Sequence, residues 1–191
     1  MFERNALTRR RSIVFAGAVC AAGFTRVFPA RSAEDGAEQK AAIAEIEKLG
    51  GRIERDETVK EKDKPIVAIT LSTTQAGDDA LDRLKAFDHL KKLSLNSTKI
   101  TNAGLERLKA IPTLEKLYLV DVKIDDAGLD HLKELKHLRV LSLVGTGTTH
   151  AGLDKLKSLG ELSELYLYGT KVTDEGVKKL KEAAPKLKID R

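Results

Sequence analysis

The three tyrosines of the sequence, Tyr118, Tyr166 and Tyr168, each lie in a short segment in which leucines alternate with other residues. Tyr and Arg are favoured in protein interfaces because they bring a large contact area with a polar tip. An alternative is that aromatic residues simply suit strands. Charged and amide residues occupy the alternate places of the same segments: Lys92, Lys116, Arg139, Glu164 and Asn96. These eight residues predict a surface that binds a partner without chemical change.

A pattern of seven apolar positions recurs with a step of 24 residues and must position these side chains. Copies start at Ile66, Leu90, Leu114, Leu138 and Leu162, and each start is position 1. Apolar residues then fall at positions 1, 4, 6, 11, 16, 19 and 22, except that Thr148 stands at position 11 of the fourth copy. A fixed period of this length predicts a solenoid of stacked coils. Positions 4 and 6 predict the inward side of a strand, and positions 16, 19 and 22 predict the inward side of a helix.

The residues L-x-x-L-x-L-x-x-T-x-I of segment 90–100 resemble a leucine-rich repeat, and the resemblance covers residues 66–191. It implies an α/β fold, a right-handed β-α superhelix with a parallel β-sheet on the concave face and helices on the convex face. It also implies that the eight residues lie on the concave face, where a protein or peptide would bind. The repeats also resemble those of ubiquitin-ligase adaptors, but no adaptor-docking domain precedes them in this sequence. A role as a ubiquitin-ligase adaptor is therefore not expected.

Three further positions of the repeat carry polar or small residues. Position 9 is Thr except at Val122, and we expect its hydroxyls to satisfy backbone groups in a ladder that fails at Val122. Position 12 is expected to cap the helices through a side-chain oxygen. Position 15 is Gly in four copies and Ala80 in the first, which predicts close approach between coils. The residues at position 12 are Thr101, Asp125, Thr149 and Thr173.

Residues 1–33 have the features of an export signal. The run Arg10–Val14 resembles the twin-arginine motif, and about 12 apolar residues follow, fewer than the roughly 20 that span a bilayer. Cleavage after Ala33 is expected, with an uncleaved anchor and the general secretory route as alternatives. We therefore expect a periplasmic or envelope location, and no transmembrane span in the mature chain.

The formal net charge of +5 is carried by this leader, which holds six Arg and one Glu. The remaining residues are balanced, so we expect no nucleic-acid partner. The single cysteine, Cys20, also lies in the leader. Disulfides and thiolate sites are therefore not expected in an exported product.

Residues 34–65 are predicted to form an N-terminal cap, with a helix whose face includes Ile43, Ile46 and Leu49, a strand around Ile53, and a charged loop. The order of a helix, two glycines and a strand resembles the opening of small exported repeat proteins of planctomycete-type bacteria. Residues 66–185 are predicted to form five repeats. Residues 186–191 are predicted to be a truncated cap strand whose charges discourage edge association.

Other chemistry has little support in the sequence. His89 and His137 occupy equivalent places two coils apart, hence about 10 Å from each other, too far for a shared metal with bonds of about 2 Å. Gly145–Gly147 lacks the rest of a phosphate loop and predicts a turn. No G-x-S-x-G or H-E-x-x-H motif occurs.

We therefore expect a non-enzymatic, monomeric recognition module without cofactor or metal. The alternative is an envelope-associated structural protein that binds a glycan or surface polymer.

Overall fold

The computed structural model describes residues 33–60 and 64–191. The predicted export signal lies outside the described residues, apart from Ala33. The strands of the described chain are β1 Arg52–Arg55, β2 Ile66–Thr70, β3 Lys92–Ser94, β4 Lys116–Tyr118, β5 Val140–Ser142, β6 Glu164–Tyr166 and β7 Lys188–Asp190. The α-helices are α1 Ala33–Lys48, α2 Asp78–Asp82, α3 Asn102–Leu105, α4 Asp126–Leu129, α5 His150–Leu156 and α6 Asp174–Ala183. The 3₁₀ helices are Arg83–Ala86, Glu106–Ala110 and Asp130–Glu134.

The strands form one sheet in chain order, from β1 to β7. Strands β2 to β7 are parallel and share one register, so that each position of a coil pairs with the same position of the next. Parallel strands need a crossover, and the helical segment of each coil provides it. The predicted solenoid with a parallel sheet is confirmed.

Strand β1 differs because it is antiparallel to β2. The helix α1 ends at Lys48, and Gly50, with a φ of +81°, turns the chain towards β1. No helix lies between β1 and β2 among the described residues, and the Asp56 N–H bonds to the Pro65 carbonyl at 2.9 Å. Strands joined without a crossover pair antiparallel, which accounts for this exception.

The core lies between the sheet and the helices. Inward residues of the strands, such as Leu93 and Leu117, are fully buried. The helical positions 16 and 19, such as Leu105 and Leu108, are fully buried from the other side. In α1, Ala42 and Ile46 are buried against the same core.

The helical segments of the first three coils are not continuous α-helices. Each begins with a short α-helix, α2 to α4, and continues as a 3₁₀ helix. A 3₁₀ helix has three residues per turn, so a spacing of three keeps positions 16, 19 and 22 on one side. The sequence spacing therefore fits the observed geometry better than the predicted plain helix does.

The side-chain hydrogen bonds that hold the start of the next coil's helix come from position 13 and not from position 9. Asp78 accepts the Thr101 N–H at 2.8 Å, and Asp126 accepts the Thr149 N–H at 2.8 Å. In the coil between them, Asn102 Oδ1 accepts the Asp125 N–H at 3.1 Å. A side chain of one coil thus holds the backbone of the next where its helix begins.

The threonines at position 9 act within their own coil. The Thr98 and Thr146 hydroxyls donate to the carbonyls of Leu95 and Leu143 at 2.6 and 2.7 Å. As predicted, the hydroxyls at position 9 satisfy backbone carbonyls of the turn, and each does so within its own coil. Val122 is only 2% exposed and fills the equivalent place with apolar contact.

Helix capping follows the prediction in three of the four named positions. Asp125 accepts the Ala127 N–H, Thr149 accepts the Ala151 N–H, and Thr173 accepts the Gly176 N–H. The hydroxyl of Thr101 makes no such cap, and it donates to the Asp78 carboxylate at 2.7 Å, a bond that the capping Thr149 hydroxyl also makes, with Asp126. The Thr101 bond ties coil two to coil one.

Candidate functional site

The candidate site is the sheet surface opposite the helices, the concave face. It is made of the strand residues at positions 3, 5 and 7, because positions 4 and 6 point into the core. The position 3 row reads Ala68, Lys92, Lys116, Val140, Glu164 and Lys188. The position 5 row reads Thr70, Ser94, Tyr118, Ser142, Tyr166 and Asp190.

Tyr118 and Tyr166 flank Ser142 in the same register, on β4, β6 and the β5 strand between them. Two strand spacings separate the tyrosine backbones by about 10 Å. Ser142 is 2% exposed and Val140 is 8% exposed, although both occupy outward positions. Little accessible surface is therefore left between the two tyrosine side chains. We call Val140, Ser142, Tyr118 and Tyr166 the β5 patch.

The Tyr166 ring is held by a neighbour on its own strand. Its hydroxyl donates to Glu164 Oε2 at 3.0 Å. That hydrogen bond raises the pKa of Tyr166, so the phenol stays neutral over the ordinary pH range. Glu164 therefore positions the Tyr166 ring of the β5 patch.

Tyr168 is the most open aromatic residue on this surface, with 74% of its area exposed. Its backbone is fixed, because the Tyr168 carbonyl accepts the Gly145 N–H of the previous coil at 2.9 Å. An exposed aromatic ring on a fixed backbone gives contact area at a low cost in conformational entropy.

Lys92 and Lys116 are adjacent in register on β3 and β4. The next residues along the same row are the uncharged Ala68 and Val140. Within residues 33–60 and 64–191, no ion pair includes either ammonium group. Like charges directly opposite in a sheet destabilise it, so this pair is a local cost to folding.

Two other predicted contact residues take part in bonds within the protein. Asn96 Oδ1 accepts the Val120 N–H at 3.0 Å and fixes the end of β4. The Arg139 guanidinium lies 3.3 Å from Glu161, which also contacts the ring of His137 at 3.1 Å. Hydrogen bonds from His137 and Arg139 lower the pKa of the Glu161 carboxyl. Both predicted contact residues therefore also have structural roles.

A leucine rich repeat family model matches residues 89–109, which is about one coil. The structure is similar to the leucine-rich repeat ectodomain of the receptor kinase SOBIR1 from Arabidopsis thaliana, with a TM-score of 0.54 and 17% identity. That likeness covers 81% of this chain and 91% of the ectodomain. The chain has the fold of a leucine-rich repeat solenoid.

The structure is also similar to that of a leucine-rich repeat protein from Leptospira interrogans, with a TM-score of 0.42 and 21% identity. This likeness covers 58% of the chain and 33% of the Leptospira protein, so the chain spans about a third of that protein's length. No curated protein matches the sequence.

Sequence reasoning missed the burial of Val140 and Ser142 in the β5 patch, because these two residues carry no chemical signal alone. The signal lay in the spacing of Tyr118 and Tyr166 by two periods, with a small residue midway between them. A second feature was also missed, an open groove of about 830 Å³ beside the start of α4. Its lining includes Asp121, Lys123, Asp125, Asp126, Gly145, Gly147 and Lys171.

In the described ranges, no group of three or more His, Cys, Asp or Glu side chains is placed to hold a metal ion. In the same ranges, every helix is too short or too polar to cross a bilayer.

Proposed function

We propose that this leucine-rich repeat protein is an exported, non-enzymatic recognition module that binds a protein or peptide on its concave face. The observation that carries the proposal is the β5 patch, in which Tyr118 and Tyr166 flank the buried Ser142 on the outward face of the sheet. Binding energy in interfaces concentrates in a few aromatic and Arg side chains around well-packed pockets. Tyr168, two residues after the end of β6, extends this aromatic surface.

The backbone of the concave face supports the proposal. Each strand is hydrogen-bonded to both neighbours from β2 to β6, so the binding surface is built before a partner arrives. A surface that needs no ordering keeps more of its contact energy as affinity. The remaining proposed contact residues are Lys92, Lys116, Arg139, Glu164 and Asn96.

Export is part of the proposal and rests on the twin-arginine-like run Arg10–Val14. The similar solved structure is itself an ectodomain. We place the partner in the periplasm or cell envelope, and the protein acts there as a monomer.

The test is capture of a partner from periplasmic extract on immobilised protein. Tyr166→Ala with Tyr168→Ala should abolish capture and leave the melting curve nearly unchanged, because both rings lie outside the core. A matched pair of exposed residues on the helical side, Lys133→Ala with Lys157→Ala, should retain capture. Equal capture by both double variants would overturn the proposal.

A further inference from the structure

The helical segment of each of the first four coils is followed by a turn that carries a large apolar side chain. In this turn, the N–H of the leucine that starts the next coil bonds to a carbonyl three residues earlier, as from Leu114 to Ile111 at 3.3 Å. The residues that supply these carbonyls are at most 4% exposed and belong to the core: Phe87, Ile111, Leu135 and Leu159.

The fifth coil has a small residue at this place. Its Leu187 N–H bonds to the Ala184 carbonyl at 3.0 Å. The Ala184 backbone, with φ −133° and ψ 74°, resembles that of Ile111, with φ −125° and ψ 66°. Ala184 is thus the structural counterpart of Ile111, without the large side chain. A groove of about 320 Å³ lies here, between segments 156–162 and 180–187, and we call it the Ala184 groove.

The lining of the Ala184 groove is aliphatic where it is buried and positively charged where it is exposed. Its two charged side chains are those of the exposed Lys157 and Lys186, and the described lining contains no carboxylate. Lys157 pairs with Asp154 at 2.6 Å, whereas no ion pair within residues 33–60 and 64–191 includes Lys186. The buried part is made largely of five leucines, each at most 9% exposed: Leu156, Leu159, Leu162, Leu180 and Leu187.

We infer that the Ala184 groove binds a free carboxylic acid with one alkyl chain of medium length. The chain packs against the leucines, and the carboxylate contacts the Lys186 ammonium group. This site is separate from the concave face, so the inference goes beyond the proposed function.

The hydrogen bonding of the groove favours an alkyl chain over a peptide. The backbone N–H groups of Leu159, Leu162, Ala184 and Leu187 already donate to carbonyls of their own turns. A peptide backbone that entered the groove would lose hydrogen bonds to water without gaining these donors as partners, which is unfavourable. An alkyl chain has no polar group to bury, and its transfer from water to the leucines is favourable.

The size and charge of the groove fit the same ligand. Small-molecule sites have about 300–1,000 Å³ and an apolar lining with a few polar groups that fix the orientation of the ligand. The Ala184 groove is at the lower end of this range, at about ten water volumes of roughly 30 Å³ each. It therefore suits one medium-length chain better than a lipid with two chains. Lys186 supplies the charge-assisted hydrogen bond that orients the carboxylate.

The experiment is isothermal titration calorimetry of the full chain with hexanoate, octanoate and decanoate, each below its micelle concentration. We expect binding to tighten by about fourfold for each methylene group that enters the groove. Equal affinity for the three acids, or no binding of decanoate, overturns the inference.

Ala184→Leu tests the place of binding. Leucine occupies the same turn in earlier coils, so the variant should fold, and its side chain should fill the groove and abolish decanoate binding. The matched control is Ala110→Leu, which adds the same side chain at an exposed residue just before Ile111. It should bind decanoate as the original chain does. Equal binding by the two variants overturns the inference.

Lys186→Glu tests the contact with the carboxylate. We expect decanoate to bind this variant about tenfold more weakly and the uncharged octanol to bind it unchanged. Lys178→Glu makes the same change of net charge at an exposed residue of α6 outside the groove, and it should retain the decanoate affinity. Equal weakening in both variants overturns the assignment to Lys186.

Two other occupants of the groove would be recognised in the same set of variants. A dimer in sedimentation velocity that dissociates in Ala184→Leu would place a second copy there and overturn the inference. Capture of a periplasmic protein that is lost in Ala184→Leu but kept in Tyr166→Ala/Tyr168→Ala would overturn both this inference and the proposed function. Capture that depends on the tyrosines, without decanoate binding, overturns the inference alone.

Discussion

The amide oxygen of Asn102 occupies the space that a side chain at Gly128 would need. A Cβ built on Gly128 would lie 2.5 Å from Asn102 Oδ1, and the same oxygen accepts the Asp125 N–H at 3.1 Å. Asp78 stands in the same relation to Gly104, and Asp126 to Gly152. The glycine at position 15 is thus the counterpart of the polar side chain at position 13 in the previous coil.

Replacing Gly128 with Ala should destabilise the protein. The added methyl group would meet Asn102 Oδ1 and, at 3.0 Å, Leu105 Cδ1. Overpacking costs about 1–3 kcal/mol, and the better helix propensity of Ala returns up to about 1 kcal/mol. We expect a net loss of about 1–2 kcal/mol in the free energy of unfolding, measured by urea denaturation.

Gly160→Ala is the matched control, because no atom lies within 4 Å of the place that its new methyl group would take. We expect this variant to be unchanged, or more stable by about 0.4–1 kcal/mol. Combining Asn102→Ala with Gly128→Ala should cost less than the sum of the two single changes, because the clash is then gone. Strict additivity would show that the two residues do not compete for space.

The strands and the core were predictable because their signal is local and periodic. Leu117 and Leu119 alternate with outward residues, and the 24-residue period fixes which strands are neighbours. Close approach at Gly128 was also predicted. The residue that approaches Gly128, Asn102, was not predicted, because the two residues are far apart in sequence and come into contact only after the coils stack.

The candidate site was less predictable than the fold. The alternation placed Tyr118 and Tyr166 on one face, but it could not show that Ser142 is nearly inaccessible between them. Nor could it show that Arg139 contacts Glu161. Side-chain partners depend on rotamers and on neighbouring coils, which a single-coil pattern does not contain.

Thr146→Val should destabilise the protein by about 1–3 kcal/mol, because it removes buried hydrogen-bond partners. The Thr146 hydroxyl bonds to the Leu143 carbonyl at 2.7 Å and to the Thr148 hydroxyl at 2.9 Å. The reverse change, Val122→Thr, should alter stability by less than about 1 kcal/mol, because the new hydroxyl can reach its own coil's carbonyl. Chemical denaturation of the two variants gives the comparison. Equal losses would contradict the role assigned to position 9.

Thr73→Gly should stabilise the protein, because Thr73 has a φ of +60° and β-branched residues are strained there. Relief of about 1–2 kcal/mol of strain exceeds the entropy cost of about 0.5–1 kcal/mol for Gly. At the equivalent position of the fifth coil, Gly169 has a φ of +71° and only ordinary contacts around a Cβ. Gly169→Thr should therefore lower the melting temperature, and Thr73→Gly should raise it. Changes of the same sign in both variants would contradict the strain argument.

The pKa of Asp130 is lowered to about 2, chiefly by hydrogen bonds from Lys133 and Lys155. Its value in the unfolded chain is about 3.9, so the carboxylate favours the folded state above that pH. The contribution is lost as the pH falls from about 4 through about 2.

Lys133→Met should raise the pKa of Asp130, because the ammonium group lies 2.6 Å from the carboxylate. Carboxyl chemical shifts followed by NMR during acid titration measure this directly. Lys157→Met is the control, because Lys157 pairs with Asp154 at the same distance and should leave the Asp130 titration unchanged. In Asp130→Asn, the loss of stability between pH 4 and pH 2 should be smaller than in the original chain. An Asp130 pKa that stays near 2 in Lys133→Met would assign the shift to Lys155 alone.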